Sequence, residues 1–123
     1  MSENFAAAYA ESRRRQLGFG SFDLGHRQIS LRPGQVVMLP AASAMYLLIS
    51  ADPGVRVVSD TGQYYLRSML LSEQKHEHSG MIRVQNNDPQ IRTVTFVIIT
   101  WRNYLPRTAS TGSATVMPSP VKL

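Results

Sequence analysis

From residue 28 to residue 105 the sequence is a series of short apolar runs, each stopped by Pro, Gly, Asn or Asp. No stretch between Pro33 and Leu105 has the 3.6-residue periodicity of a helix. Short β-like runs at spacings of roughly 8–12 residues predict an all-β body, a single jelly roll or β-sandwich of seven or eight strands. The runs are Gln28–Arg32, Gln35–Leu39, Ala44–Ala51, Val55–Ser59, Gln63–Ser68, Met69–Ser72, Lys75–Ser79, Met81–Gln85 and Ile91–Trp101.

Two of these runs are apolar on both faces. Val94, Phe96 and Ile98 alternate with Val97 and Ile99, and the run 44–49 is apolar throughout. A strand of this kind is covered on both sides. We therefore expect part of the outer surface of the sheet to be covered, either by the N-terminal segment or by another subunit.

Residues 1–27 are predicted to form an N-terminal arm that begins with a helix. Ser2 can cap this helix, alanines follow, and Arg13–Arg15 fall in its last turn, where cations suit the helix dipole. About 14 residues make a marginal helix in water, so it needs a surface to dock on. The glycines and aromatics of 18–25 indicate an irregular extended segment. The arm's anchoring rings are Phe5, Tyr9, Phe19 and Phe22.

The remaining boundaries follow from composition. Residues 28–105 form the predicted β-domain, and residues 106–123 form a tail rich in Pro, Ser and Thr. Such a tail cannot bury enough apolar surface to fold alone, so we expect it to be extended or disordered.

Cysteine and charge exclude several classes of protein. The chain of 123 residues has no Cys, which excludes disulfide scaffolds, Cys-based zinc sites, iron–sulfur clusters and thiol catalysis. No apolar run approaches the ~18 residues of a membrane span, and the N-terminus does not read as a secretory signal. We expect a soluble protein made in the cytoplasm, without a membrane partner. Eleven of the 13 basic residues are Arg, a bias typical of protein interfaces.

The sequence predicts no catalytic residues and no cofactor. Asp52, Asp60 and Asp88 lie beside Pro or Gly in turns, where Asp is favoured for its local hydrogen bonds. No G-x-S-x-G nucleophile motif is present. The chain is therefore interpreted as non-enzymatic.

His76-Glu77-His78 is the sharpest local motif. On a strand the two imidazoles would share a face and could converge on a metal. The motif resembles the H-x-H of the cupins, which implies a small β-barrel with a metal or small-ligand site. The downstream Glu and third His of the cupin pattern are missing, since His26 lies fifty residues earlier. The interpretation is an ordinary polar strand, with a cupin-like site at His76 and His78 as the alternative.

Arg13-Arg14-Arg15 is the one basic cluster in the sequence. With Tyr9 and Phe5 available for stacking, it could bind phosphate. A nucleic-acid-binding accessory protein is therefore a second alternative. The competing interpretation is a solvated helix end, or a contact with an acidic groove of a protein partner.

The order of arm, compact β-body and extended tail resembles small structural proteins of phage virions. Residues 79–87 leading into 94–98 are similar to hairpins of capsid cement (decoration) and penton-like proteins, which are single jelly rolls with extended termini. The resemblance implies a part of the virion, assembled in the host cytoplasm, that binds and stabilises the major capsid protein or other virion subunits. It also implies a homo-oligomer whose arm anchors bury their rings in neighbouring subunits.

Overall fold

The computed structural model describes residues 3–67, 70 and 73–105. Six strands of this part form a single antiparallel sheet in the order β1-β6-β2-β5-β3-β4. The prediction of an all-β, sandwich-like body with an N-terminal helix is confirmed. The elements are α1 (Glu3–Leu17), β1 (Phe19–Leu31), β2 (Val36–Ala51), β3 (Val55–Ser59), β4 (Gly62–Tyr65), β5 (Glu77–Asn86) and β6 (Arg92–Tyr104).

The sheet curls along its long second strand. Residues 36–41 of β2 pair with β5, beginning at Val36 opposite Gln85, and residues 44–51 pair with β6, while Tyr46 and Leu47 also pair with β5 on their other side. The register shifts between Ala41 and Tyr46 and again between Leu48 and Ser50. Bulges of this kind bend a strand and increase its twist. The curl encloses a first core of ten buried residues: Leu31, Leu39, Tyr46, Leu48, Val55, Val57, Ile82, Val84, Val94 and Phe96.

Helix α1 covers a second core on the outer face of the sheet. Ala6 and Ala10 are fully buried there, and side chains this small let the helix lie close to the strands. They pack with Met45, Leu47, Val97, Ile99 and Trp101. The two-sided apolar runs are thus covered by the chain's own helix, one of the two covers expected from the sequence.

Strand β1 differs from the expectation. Residues 18–25 were predicted to be irregular, but the strand begins at Phe19 and pairs with β6 from Phe19 opposite Tyr104 to Leu31 opposite Arg92. The boundary placed after residue 27 therefore falls inside a strand. The helix ends at Leu17, and the next residue, Gly18, has a φ of 82°, the left-handed conformation that favours glycine after a helix. The chain then runs along β6.

Fewer strands are present than predicted because neighbouring runs merge. The described residues form six strands instead of seven or eight. Gln35–Leu39 and Ala44–Ala51 are one strand, which tolerates Pro40 because β2 has only β5 beside it at this point. Lys75–Ser79 and Met81–Gln85 merge in β5. Ser2, most of Met69–Ser72 and the tail 106–123 lie outside the described residues.

Two buried polar side chains close one end of the sandwich. The Asn86 amide donates to the carbonyl oxygens of Leu31 (2.9 Å) and Gln90 (2.8 Å), and its oxygen accepts from the Asp88 N–H (2.8 Å). The Asp88 carboxylate accepts from Arg67 and from Arg92. Burial would raise the pKa of Asp88, but its hydrogen bonds outweigh burial and lower it. This network holds the β5–β6 loop against the end of β1.

None of the helices in the described residues is long and apolar enough to cross a membrane.

Candidate functional site

Three of the four predicted anchoring rings pack within the chain. Phe19 stacks on Trp101 at 5.5 Å between ring centroids, and Phe22 meets the same indole edge-on at 6.0 Å. Tyr9 packs against the second core. Phe5 contacts the Tyr9 ring at 6.4 Å but is 57% exposed. Two of the four rings therefore lie on helix α1 and two on strand β1. Of the four, only Phe5 is mainly solvent-exposed.

The three arginines of the basic cluster hold carboxylates of the same chain. Arg13 forms an ion pair with Glu77 of β5 at 3.2 Å. Arg14 and Arg15 both pair with Glu11, at 2.5 and 3.2 Å. The hydrogen bond from Arg14, assisted by Arg15, lowers the pKa of Glu11 to about 2. Arg13 thus attaches the helix to β5, and the carboxylates of Glu77 and Glu11 neutralise much of the positive charge of the cluster.

The two histidines bind main-chain carbonyls. His78 is fully buried; its Nε2 donates to the Lys75 carbonyl oxygen at 2.9 Å, so Nδ1 accepts from the Ser59 hydroxyl at 2.6 Å. Burial lowers the pKa of His78, which keeps the ring neutral. The Nδ1 of His76 donates to the Leu48 carbonyl oxygen at 3.1 Å. The described residues contain no group of three or more His, Cys, Asp or Glu arranged for a metal.

A cleft of about 310 Å³ separates helix α1 from the β4–β5 connection. Its lining residues are Tyr9, Thr61, Gln74, Lys75, His76 and Glu77. The Glu77 carboxylate accepts from the Tyr9 hydroxyl and from Arg13 Nη2 (3.2 Å). Burial and the bond to Glu77 raise the pKa of Tyr9 to about 12, so the phenol stays protonated at neutral pH. Of the cleft residues, Tyr9 and Glu77 attach the helix, whereas Thr61, Gln74 and His76 bond to backbone groups of the sheet.

Within the part of the chain that the structure describes, no helix covers the other half of the outer sheet surface, and we call this half the open face. Along β3 and β5 its side chains alternate with the buried Val57 and Val84, and three of its apolar members are well exposed: Val36 (41%), Met38 (51%) and Met81 (51%). Met38 lies opposite Arg83 in the β2–β5 pair. The open face comprises Val36, Met38, Arg56, Val58, Gln63, Tyr65, Met81, Arg83 and Gln85.

A basic cleft of about 240 Å³ lies in the open face. Its lining consists of Arg56, Val58, Gln63, Arg83 and Gln85, so no carboxylate lines it. In the β3–β5 register Arg56 lies opposite Gln85 and Val58 opposite Arg83, which makes the two arginines diagonal neighbours on one face. Like charges on neighbouring strands disfavour each other, and an anion bound between the two guanidiniums would relieve this repulsion.

Arg56 is held in place from two sides. Its guanidinium lies 5.1 Å from the centroid of the Tyr65 ring, and its Nη2 donates to Gln63 Oε1 at 3.3 Å. Its Nε is buried and has no hydrogen-bond partner in the structure. A buried donor without an acceptor is costly.

Sequence reasoning missed the open face. The signals were the general excess of Arg and the alternation of Arg56 and Arg83 with buried valines. These signals indicate a shared surface only once β3 is known to pair with β5, which lies more than twenty residues further along the chain.

Comparisons with protein-family models, with curated proteins and with solved structures find no significant match to this chain. The assignment of function therefore depends on the site itself.

Proposed function

We propose that this protein is a non-enzymatic structural subunit that binds other subunits of an assembly through its open face. The assembly we favour is a virion put together in the host cytoplasm, where the chain would bind and stabilise the major capsid protein in the manner of a cement or penton-like protein. The single observation that carries the proposal is the composition of the open face.

The open face combines the residue types that protein interfaces favour. Arg, Tyr and Met are enriched at interface centres, and Lys, Asp and Glu are depleted. All residues of the open face belong to the described part of the chain, and none of them is Lys, Asp or Glu. Exposed Met38 and Met81 supply adaptable apolar contact.

The basic cleft defines the chemistry of the partner. Arg56 is already oriented by Tyr65 and Gln63, so little side-chain entropy is lost when it binds. A guanidinium binds a carboxylate through two parallel hydrogen bonds. The partner is therefore a protein segment with Asp or Glu beside apolar residues, which would meet Arg56, Arg83 and the neighbouring methionines.

The proposal places the main contact on the β-body instead of the arm. Tyr9, Phe19 and Phe22 pack within the chain, so of the four predicted anchoring rings only Phe5, which is 57% exposed, presents most of its surface to solvent. The two alternatives receive less support. His76 and His78 bind carbonyls, and Arg13–Arg15 bind carboxylates.

Quantitative mass spectrometry of purified particles tests the proposed role. Particles from the cells that naturally produce this chain are banded on a density gradient and then treated with high salt. We expect the chain to band with the capsid subunit at a fixed ratio that does not vary between preparations. Its absence from the particles, or a ratio that drifts with the amount of chain expressed, would show that it is no virion subunit.

A further inference from the structure

One edge of the sheet is strand β1, thirteen residues long, on which the Phe19 carbonyl oxygen accepts from Arg14 Nη1 at 2.9 Å. Strand β1 pairs with β6 on one side, and no strand of the described chain pairs with its other side. Proteins protect exposed edges with Pro, charged side chains (Lys above all), bulges or very short strands. Strand β1 is long and contains neither Pro nor Lys, and its two charged residues, Asp23 and Arg27, are of opposite sign. We propose that a second copy of this chain pairs with β1, antiparallel, about a twofold axis at Gly25.

The register follows from the midpoint of the strand. Gly25 is the central residue of Phe19–Leu31, so placing it opposite Gly25 of the second copy overlaps the two strands along their whole length. In this register, a residue a given number of positions before Gly25 in one copy lies opposite the residue the same number of positions after Gly25 in the second copy. Asp23 of one copy then lies opposite Arg27 of the other.

Charge complementarity favours a second copy over an unrelated strand. Asp23 and Arg27 are both exposed, and residues four apart on a strand share a face. The twofold axis forms the Asp23–Arg27 pair twice, and directly opposed opposite charges stabilise a sheet. Asp23 also binds Arg102 of its own chain, and a carboxylate has acceptor sites for both guanidiniums.

The residues at the axis suit a close approach. A Cβ placed on Gly25 would meet nothing within 4 Å, so the position is open and the backbones can come together there. Leu24, which is 43% exposed, lies on the face of the strand opposite to Asp23 and Arg27. In the dimer it would lie diagonal to Leu24 of the second copy, and both side chains would lose contact with solvent. The pairing uses an edge distinct from the open face, so it stands whether or not the proposed virion role holds.

A single engineered cysteine tests the register because the chain has none. In the proposed dimer two residues at position 25 face each other with Cα atoms about 4.5–5.5 Å apart, a distance that a disulfide spans. We expect Gly25→Cys to form a covalent dimer rapidly under mild oxidation. Ser30→Cys on the same strand is the matched control, since its two copies would lie on the order of 30 Å apart. Equal rates for the two variants overturn the register.

A charge swap tests the pairing without touching Gly25. Light scattering of the unmodified full chain at about 100 μM should give twice the mass of the monomer. Asp23→Arg or Arg27→Asp alone should weaken dimerisation at least about tenfold by placing like charges opposite each other, and the double variant D23R/R27D should restore it. Circular dichroism checks that each variant is folded. A monomeric wild-type chain, or a dimer indifferent to all three variants, overturns the proposal and leaves the edge to another occupant.

Discussion

Glu77 is the residue through which the sheet holds the helix. Its carboxylate joins Tyr9 and Arg13 of α1 to strand β5. The sequence motif His76-Glu77-His78 drew attention to its histidines, whereas the structure gives the middle residue the wider role. Hydrogen bonds that involve a charged group contribute about 1.5–3 kcal/mol each, which is enough to secure a short helix.

Alkaline pH should weaken this attachment. A tyrosine in an unfolded chain titrates near 10, and the pKa of Tyr9 in the folded protein is raised to about 12. Burial of the protonated phenol and its bond to Glu77 cause the shift, so the stabilisation is complete below pH 10 and is lost progressively as the pH rises from 10 to 12. Urea unfolding of the wild type and of Tyr9→Phe measures this. Their difference in free energy should be constant below pH 10 and shrink above it; a difference that persists unchanged to pH 12 would rule out the shift.

Asn86 should be the costliest polar residue to remove from the turn end of the sandwich. Asn86→Ala breaks three hydrogen bonds and leaves the buried Leu31 carbonyl and Asp88 N–H, and the more exposed Gln90 carbonyl, without these partners. We expect the free energy of unfolding to fall by about 2–3 kcal/mol. Asn87→Ala, at the neighbouring exposed position, should change it by less than about 0.5 kcal/mol. Equal losses for the two variants in chemical denaturation would contradict the network.

At the scale of elements, the docking of α1 on the sheet excludes water from the second core. The helix buries two alanines against the sheet, and a helix of 15 residues is marginal in water by itself. Its order therefore depends on the fit between Ala6, Ala10 and the strands beneath them.

Ala10→Glu should detach the helix from the sheet. A carboxylate at this fully buried position would be desolvated without a partner, at a cost of more than about 2 kcal/mol. Trp101, the single tryptophan of the chain, lies in the second core and reports the event. We expect its fluorescence to shift to the red in Ala10→Glu and to stay unchanged in Ala8→Glu, which lies on the exposed side of the helix. Unshifted emission in Ala10→Glu would mean that the helix does not shield Trp101.

The elements most predictable from sequence were those whose evidence is local. Strand β3 has the bounds predicted from Asp52-Pro53-Gly54 and Asp60-Thr61-Gly62, because turn residues determine where a short strand begins and ends. The need for cover over residues 94–99 was also visible, since apolarity on both faces is a property of one run.

Features that depend on pairing were not predictable from local patterns. Residues 19–25 become a strand because β6 offers them an edge, against the preference of their glycines. The basic cleft joins Arg56 of β3 to Arg83 of β5, and β3 lies between β5 and β4 in the sheet. The register that makes the two arginines neighbours is set by the whole fold.

At the scale of the whole molecule, the outer surface of the sheet is divided between two uses. One half is covered by α1, whose Tyr9 and Arg13 bind Glu77 of the sheet. The other half presents arginine, tyrosine and methionine around a basic cleft. The β1 edge adds a third surface that suits a second copy. A protein with one completed surface and two open ones is suited to an assembly, and this supports the proposed role as a structural subunit.

Charge reversal in the basic cleft tests the central claim most directly. Tagged wild-type chain is mixed with particles that lack it, sedimented with them, and compared with the double variant R56E/R83E and with Arg32→Glu, an exposed position in the β1–β2 turn. We predict that wild type and Arg32→Glu sediment with the particles, while R56E/R83E loses at least about tenfold in affinity, as expected for reversing two charges at an interface centre. Undiminished sedimentation of a folded R56E/R83E variant would contradict the assignment of the open face as the binding surface.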